Sequence, residues 1–135
     1  MAFVIDASVM LARPLGQPNA IAALVRARLD NEVGLVPALW WFEVRNVLIL
    51  NERRRAISEA ETASAMREWA QLDIALDNSP DEIAIMSLAR RHRLTVYDAA
   101  YLELALRERL DLATLDAALA EAARREGVAV VGDPA

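Results

Sequence analysis

Four acidic residues stand apart from the other carboxylates of this 135-residue chain by where they fall. Asp6 follows directly on the apolar run Ala2 to Ile5, where a buried strand would end in a carboxylate. On a helical wheel Glu43 falls among Leu39, Trp40, Val47 and Leu50, on the side that should face the core. Asp98 opens a helix after Thr95-Val96-Tyr97, and Asp116 opens another after Leu112-Ala113-Thr114-Leu115. Burying an unpaired charge is costly or shifts its pKa, so an inward Glu43 needs an arginine, a proton or a metal ion. If two strand-end aspartates, a helix-start aspartate and an inward glutamate share one crevice, their oxygens suit Mg2+ or Mn2+. The chain has no cysteine and a single histidine with which to attract softer metals.

Each acid also has a plainer reading. Asp6, Asp98 and Asp116 could each cap a helix, and Glu43 could be paired with an arginine. Ser8 and Thr114 lie two residues from Asp6 and Asp116, near enough to support them by hydrogen bonds, and could equally serve as turn or cap residues. Asn46 lies one helical turn beyond Glu43 and could join the site. Glu103 reads as a surface partner for Arg107 at i,i+4. His92, within Arg90-Arg91-His92-Arg93, reads as a solvated residue at a basic helix end, and no motif pairs it with Ser8 for hydrolysis. A phosphatase with two aspartates separated by one residue would want an acid where Ser8 stands.

Composition narrows the chemistry further. Apolar residues make up 56% and charged residues 26%, enough core material for one self-folding domain spanning 1–135. Without cysteine there are no disulfides, thiolate metal sites or thiol nucleophiles, and a reducing cytoplasm is the expected compartment. All 15 cationic side chains are arginine, which removes Schiff bases and phosphate-loop lysines. The net charge of −5 argues against broad attraction to nucleic acid, while local arginines could still meet phosphates. No basic and apolar leader opens the chain, and Glu43 and Arg45 interrupt its most hydrophobic stretch, so neither export nor a membrane role is expected.

The elements that must position these acids follow from periodicity and punctuation. Strands are expected at Ala2 to Ile5, Val33 to Val36, Asp73 to Leu76, Leu112 to Leu115 and Val128 to Val131. Ile21, Leu24, Val25 and Leu29 recur at helical spacing after the Pro14, Gly16, Pro18 loop, and a helix runs from Ala38 to about Arg55. Ser58 with Glu61, and Ser79-Pro80 with Glu82, read as capping boxes that open two more helices. The helix after Asp98 should turn Tyr101, Leu102, Ala105 and Leu106 inward, and Gly127 should close the helix begun at Asp116. Strands alternating with helices predict an α/β fold, with a mostly parallel sheet covered by helices on both faces and ligands at the strands' carboxyl ends.

Taken together, Val4-Ile5-Asp6-Ala7-Ser8-Val9, Glu43-Val44-Arg45-Asn46-Val47-Leu48, Tyr97-Asp98-Ala99-Ala100-Tyr101-Leu102-Glu103-Leu104-Ala105 and Leu112-Ala113-Thr114-Leu115-Asp116 carry a family likeness. In this order and spacing, from Phe3 to Val131, the chain resembles the PIN-domain ribonucleases, specifically VapC-type toxins of bacterial toxin–antitoxin pairs. The loop Arg13 to Pro18 and Ala118 depart from the family's usual residues. The resemblance implies a three-layer α/β/α domain whose central sheet has about four to five strands. It implies that Asp6, Glu43, Asp98 and Asp116 bind Mg2+ or Mn2+ and cut RNA to 5′-phosphate and 3′-hydroxyl ends. It further implies a homodimer and a VapB-type antitoxin whose C-terminal segment wraps the toxin and blocks its metal site. The tryptophan-rich stretch Leu39 to Leu50 could supply part of either surface, although core packing is the expected fate of most of it. An RNA-processing PIN nuclease outside such a pair, or a binding module with a degenerate site, are the other readings.

Overall fold

A computed structural model describes residues 1–134. The chain runs through β1 (Ala2–Ile5), α1 (Ala7–Leu11), α2 (Ala20–Arg28), β2 (Val33–Pro37), α3 (Leu39–Arg53) and α4 (Glu59–Ala70). It continues through β3 (Ile74–Asp77), α5 (Glu82–His92), α6 (Val96–Glu108), β4 (Leu112–Ala113) and α7 (Ala117–Arg125). All four strands are parallel, in the order β3-β2-β1-β4. The path steps from β1 to β2 to β3 in one direction and then returns to lay β4 on the other side of β1. That reversal creates a topological switch point between the carboxyl ends of β1 and β4, where open α/β sheets bind their ligands.

Successive strand residues point to opposite faces of a sheet, yet Phe3, Val4 and Ile5 are all fully buried. Both faces of β1 are therefore covered, as the uninterrupted apolar run foretold. The core's central helix is α6, in which every residue from Ala99 to Ala105 is buried. The expected inner face of Tyr101, Leu102 and Ala105 is there, but Glu103 and Leu104 are enclosed as well, because α6 packs on β1, β2, α5 and α7 together. No helix among the described residues is long and apolar enough to cross a membrane.

The expected elements are present with instructive shifts. Leu112 to Leu115 shortens to Leu112–Ala113, because side-chain hydroxyls take the next backbone N–H groups. Ser8 Oγ accepts from Leu115 N–H at 3.0 Å, and Thr114 Oγ1 accepts from Asp116 N–H at 3.0 Å. The fifth strand, Val128 to Val131, is reduced to one parallel bridge between Leu112 and Val130, just before Gly132 turns the chain at φ 97°. The capping box of Ser58 and Glu61 forms as read. The one expected at Ser79 does not: Asp81 caps α5 through Ala84 N–H, and Ser79 N–H donates to Asp77 instead. Gly127, at φ 79°, follows the end of α7.

Two residues expected at the surface, Glu103 and His92, hold this frame together. Glu103 is only 3% exposed and is not a surface residue. It accepts from Asp81 N–H at 2.8 Å and from Arg107 Nε at 2.9 Å, and Arg107 also grips both oxygens of Asp77. The network ties the end of β3 and the start of α5 to α6. His92, read as solvated, has its side chain buried, with Nε2 2.6 Å from Glu126 Oε2, so it joins α5 to the end of α7.

Removing one partner of a buried ion pair strands the other, so Glu103→Ala is expected to lower stability by about 2–4 kcal/mol in urea unfolding. A change under about 0.5 kcal/mol, the size of an ordinary surface substitution, would contradict the assignment. The two Arg107 contacts hold the Asp77 carboxyl below its ordinary range. Its contribution is thus fully present above the unfolded pKa and lost as pH falls through the lower folded value. Arg107→Ala should accordingly flatten the acid limb of the stability profile.

Candidate metal centre

Asp6 occupies the N-cap position of α1 but does not use its side chain as a cap. Instead its Oδ2 accepts from Ser8 Oγ at 2.7 Å and from Thr114 Oγ1 at 2.8 Å. The same two hydroxyls that end β4 therefore hold the β1 carboxylate against the loop leading to Asp116. Asp116 does cap its helix, through Oδ1 and Ala118 N–H at 2.9 Å. Asp98 is not the cap of α6, since Thr95 accepts from the Asp98 N–H; the acid stands in the first turn with its carboxylate free of that duty.

Glu43 lies on α3 one turn after Trp40, half-buried, with Trp40, Val44 and Leu48 of its helix in the core. Leu50, counted on the same inward stripe, is 38% exposed, as are Trp41, Phe42 and Ile49 to larger extents. Among the described residues no arginine forms an ion pair with Glu43. Its partner is Tyr101, whose hydroxyl donates to Oε1 at 2.6 Å from the fully buried interior of α6. Tyr101 was recognisable in the sequence as an inward residue, but a phenol serving an acid 58 positions away leaves no trace in local spacing. Asn46 is exposed and makes no hydrogen bond to the four acids among the described residues.

The electrostatics show that the acids sense one another. Asp98 is pushed up to about 6 by burial, then by the charges of Asp6, Asp116 and Glu43 and by a hydrogen bond with Asp116. Burial also raises Asp6, against the lowering effect of Ser8 and Thr114, and the charge of Asp116 adds to the rise. Glu43 is raised by burial and by Asp6, with the Tyr101 hydrogen bond opposing. Among the described residues none of the ion pairs includes any of the four acids. An uncompensated oxygen-only cluster fits a hard divalent cation by the chemistry of its donors. No three acidic or histidine side chains among the described residues stand in ready-made coordination geometry.

The fold and site together define an α/β domain with an acidic, all-oxygen cluster at the carboxyl ends of its parallel strands. The PIN domain profile matches residues 3–125, and the chain belongs to that family, whose members are generally nucleases and typically use divalent metal ions. Among solved structures it is similar to PAE2754 from Pyrobaculum aerophilum, with a TM-score of 0.71 and 22% identity over 97% of this chain and 92% of that one. VapBC2 from Rickettsia felis, solved bound to a DNA fragment from their promoter, gives 0.69 and 11% over 96% and 97%. FitAcB from Neisseria gonorrhoeae gives 0.64 and 21% over 98% and 97%. These likenesses are in fold. No curated protein gives a significant sequence match.

Crowded charge predicts a test of the cluster in metal-free protein. Because the folded pKa of Asp98, about 6, lies above the 3.8 of an ordinary aspartate, the folded state binds its proton first as pH falls. Asp98→Asn should raise stability at pH 7 by about 1–2 kcal/mol, allowing for solvent screening of a half-buried group. The advantage should fade between pH 6 and 4 as the wild type protonates. An Asn variant that is no more stable at pH 7, measured with chelator present, contradicts the crowding.

Proposed function

We propose that the chain is a divalent-metal-dependent endoribonuclease that acts as the toxin of a type II toxin–antitoxin pair. Asp6, Glu43, Asp98 and Asp116 would hold Mg2+ or Mn2+, and RNA would be hydrolysed to 5′-phosphate and 3′-hydroxyl ends. The observation that carries this reading is the mutual repulsion of four acids that no arginine neutralises, gathered at the switch point of a PIN domain. A bound cation would supply Lewis-acid activation of water and neutralise charge growing on the phosphate.

The chain's own residues prepare that chemistry. Ser8 and Thr114 fix Asp6 through one oxygen and leave Oδ1 turned free of them. The cap to Ala118 does the same for Asp116, and Tyr101 for Glu43. The Asp98 carboxyl, raised to about 6, gives up its proton just below neutral pH, where a cation could take its place. His92 is engaged with Glu126, so general-base duty by a histidine has no part in the scheme.

The toxin role and its partners are proposed from the resemblance in sequence and from the kind of proteins that share the fold. One similar structure bears the VapBC name, and another, at a TM-score of 0.55 and 16% identity, is a toxin–antitoxin complex from Klebsiella pneumoniae. The implied partners are an RNA substrate, a VapB-like antitoxin covering the acidic crevice, and a second copy in a homodimer, in the cytoplasm.

The purified chain should cut RNA in Mg2+ or Mn2+ and leave 5′-phosphate ends. Asp6→Asn and Asp98→Asn should each reduce the rate by more than the ~10–100-fold seen on disturbing a metal ligand's support. Undiminished cleavage by both variants would remove these acids from the mechanism. Induced expression should arrest growth of the host, and Asp98→Asn should relieve it; growth arrest by neither protein would leave a nuclease without a toxin role.

A further inference from the structure

Three of the four acids have one carboxylate oxygen fastened by a neutral donor. Oδ2 of Asp6 takes two hydroxyls, Oδ1 of Asp116 takes a backbone N–H, and Oε1 of Glu43 takes the Tyr101 phenol. A carboxylate fastened in this way favours one-oxygen ligation, because one lone-pair direction of the fastened oxygen is already committed and its orientation is fixed. Cations differ in what they ask for. Ca2+ accepts two-oxygen carboxylates and irregular, higher coordination, whereas Mg2+ requires near-ideal octahedral geometry with few carboxylate oxygens. Mn2+ shares the octahedral oxygen sites of Mg2+.

Tyr101 is the most deeply enclosed of these anchors. Its side chain is fully enclosed on α6, one turn beyond Asp98 on the same face, and it reaches α3 at 2.6 Å. The phenol donates, so the bond runs from Tyr101 to Glu43.

We propose that Tyr101 is a positioning residue which, by occupying Oε1, restricts Glu43 to one-oxygen ligation and so sets the site's preference for small octahedral cations over Ca2+. The inference rests on the metal-centre reading above and adds to it the residue that governs selectivity. A phenylalanine at this position keeps the ring and removes only the fastening. Glu43 is then free to chelate through both oxygens, which Ca2+ tolerates and the smaller ions do not.

The full chain, stripped of metal, would be titrated with Mn2+ and free ion followed by electron paramagnetic resonance, with Ca2+ as competitor. Tyr101→Phe should lower the ratio of Mn2+ to Ca2+ affinity by about 10-fold, chiefly through weaker Mn2+ binding, with the far-ultraviolet circular dichroism unchanged. An unchanged ratio, or equal losses for both ions, overturns the proposal while leaving the metal centre standing. A wild-type chain that binds no Mn2+ overturns both. Should Tyr101→Phe fail to fold, Glu43→Asp retains the charge but withdraws it from the phenol. The same fall in ratio then supports the role of Tyr101, and a retained ratio refutes it.

Discussion

Carboxylates that repel one another gather only where a scaffold holds them, and Asp6, Glu43, Asp98 and Asp116 are held from four different elements. The parallel sheet brings the ends of β1 and β4 side by side, and α3 and α6 aim their acids at the same place. What the chain withholds matters as much as what it supplies. Those of its arginines that form ion pairs do so elsewhere: Arg13 and Arg26 with Glu68, Arg28 with Glu32, Arg107 with Asp77 and Glu103, Arg124 with Asp133. Among the described residues no guanidinium pairs with the four acids, so their negative charge stays available to an incoming cation.

Neutral donors do the holding in place of cations. A hydroxyl fixes a carboxylate without cancelling its charge, and Ser8 and Thr114 each make two contacts to this end. They bind Asp6 and also capture the backbone N–H groups of Leu115 and Asp116, so the end of β4 is drawn off the sheet at the point where Asp116 must face the crevice. The short β4 is therefore a consequence of the site. Tyr101 extends the same device to Glu43 from the opposite side, using the most deeply enclosed helix as its support.

Asp98 and Glu103 show how partners decide roles. Both lie on α6, and both lose water on folding. Glu103 meets Arg107 and the Asp81 N–H, which stabilises its charge and makes it a brace between β3, α5 and α6. Asp98 meets other acids, and its carboxyl rises to about 6. Structural carboxylates in this fold are compensated, and those of the crevice are left in tension.

The sequence by itself determined the succession of strands and helices, the parallel sheet and the identity of the unusual acids. Such features are local: apolar runs, helical periodicity, cap residues and a glutamate on an inward stripe are all read within a dozen positions. Spacing of four motifs sufficed for the family likeness. Only the tertiary structure decided which side chains meet, and so that Glu43 answers to Tyr101 rather than to an arginine, that Asp81 rather than Ser79 caps α5, and that Glu103 and His92 are enclosed. It also decided the fate of the two weakest strands, since their backbone donors and acceptors could choose between the sheet and nearby hydroxyls or a turn. Partners separated by 22 to 108 residues are selected by packing, which local pattern does not encode.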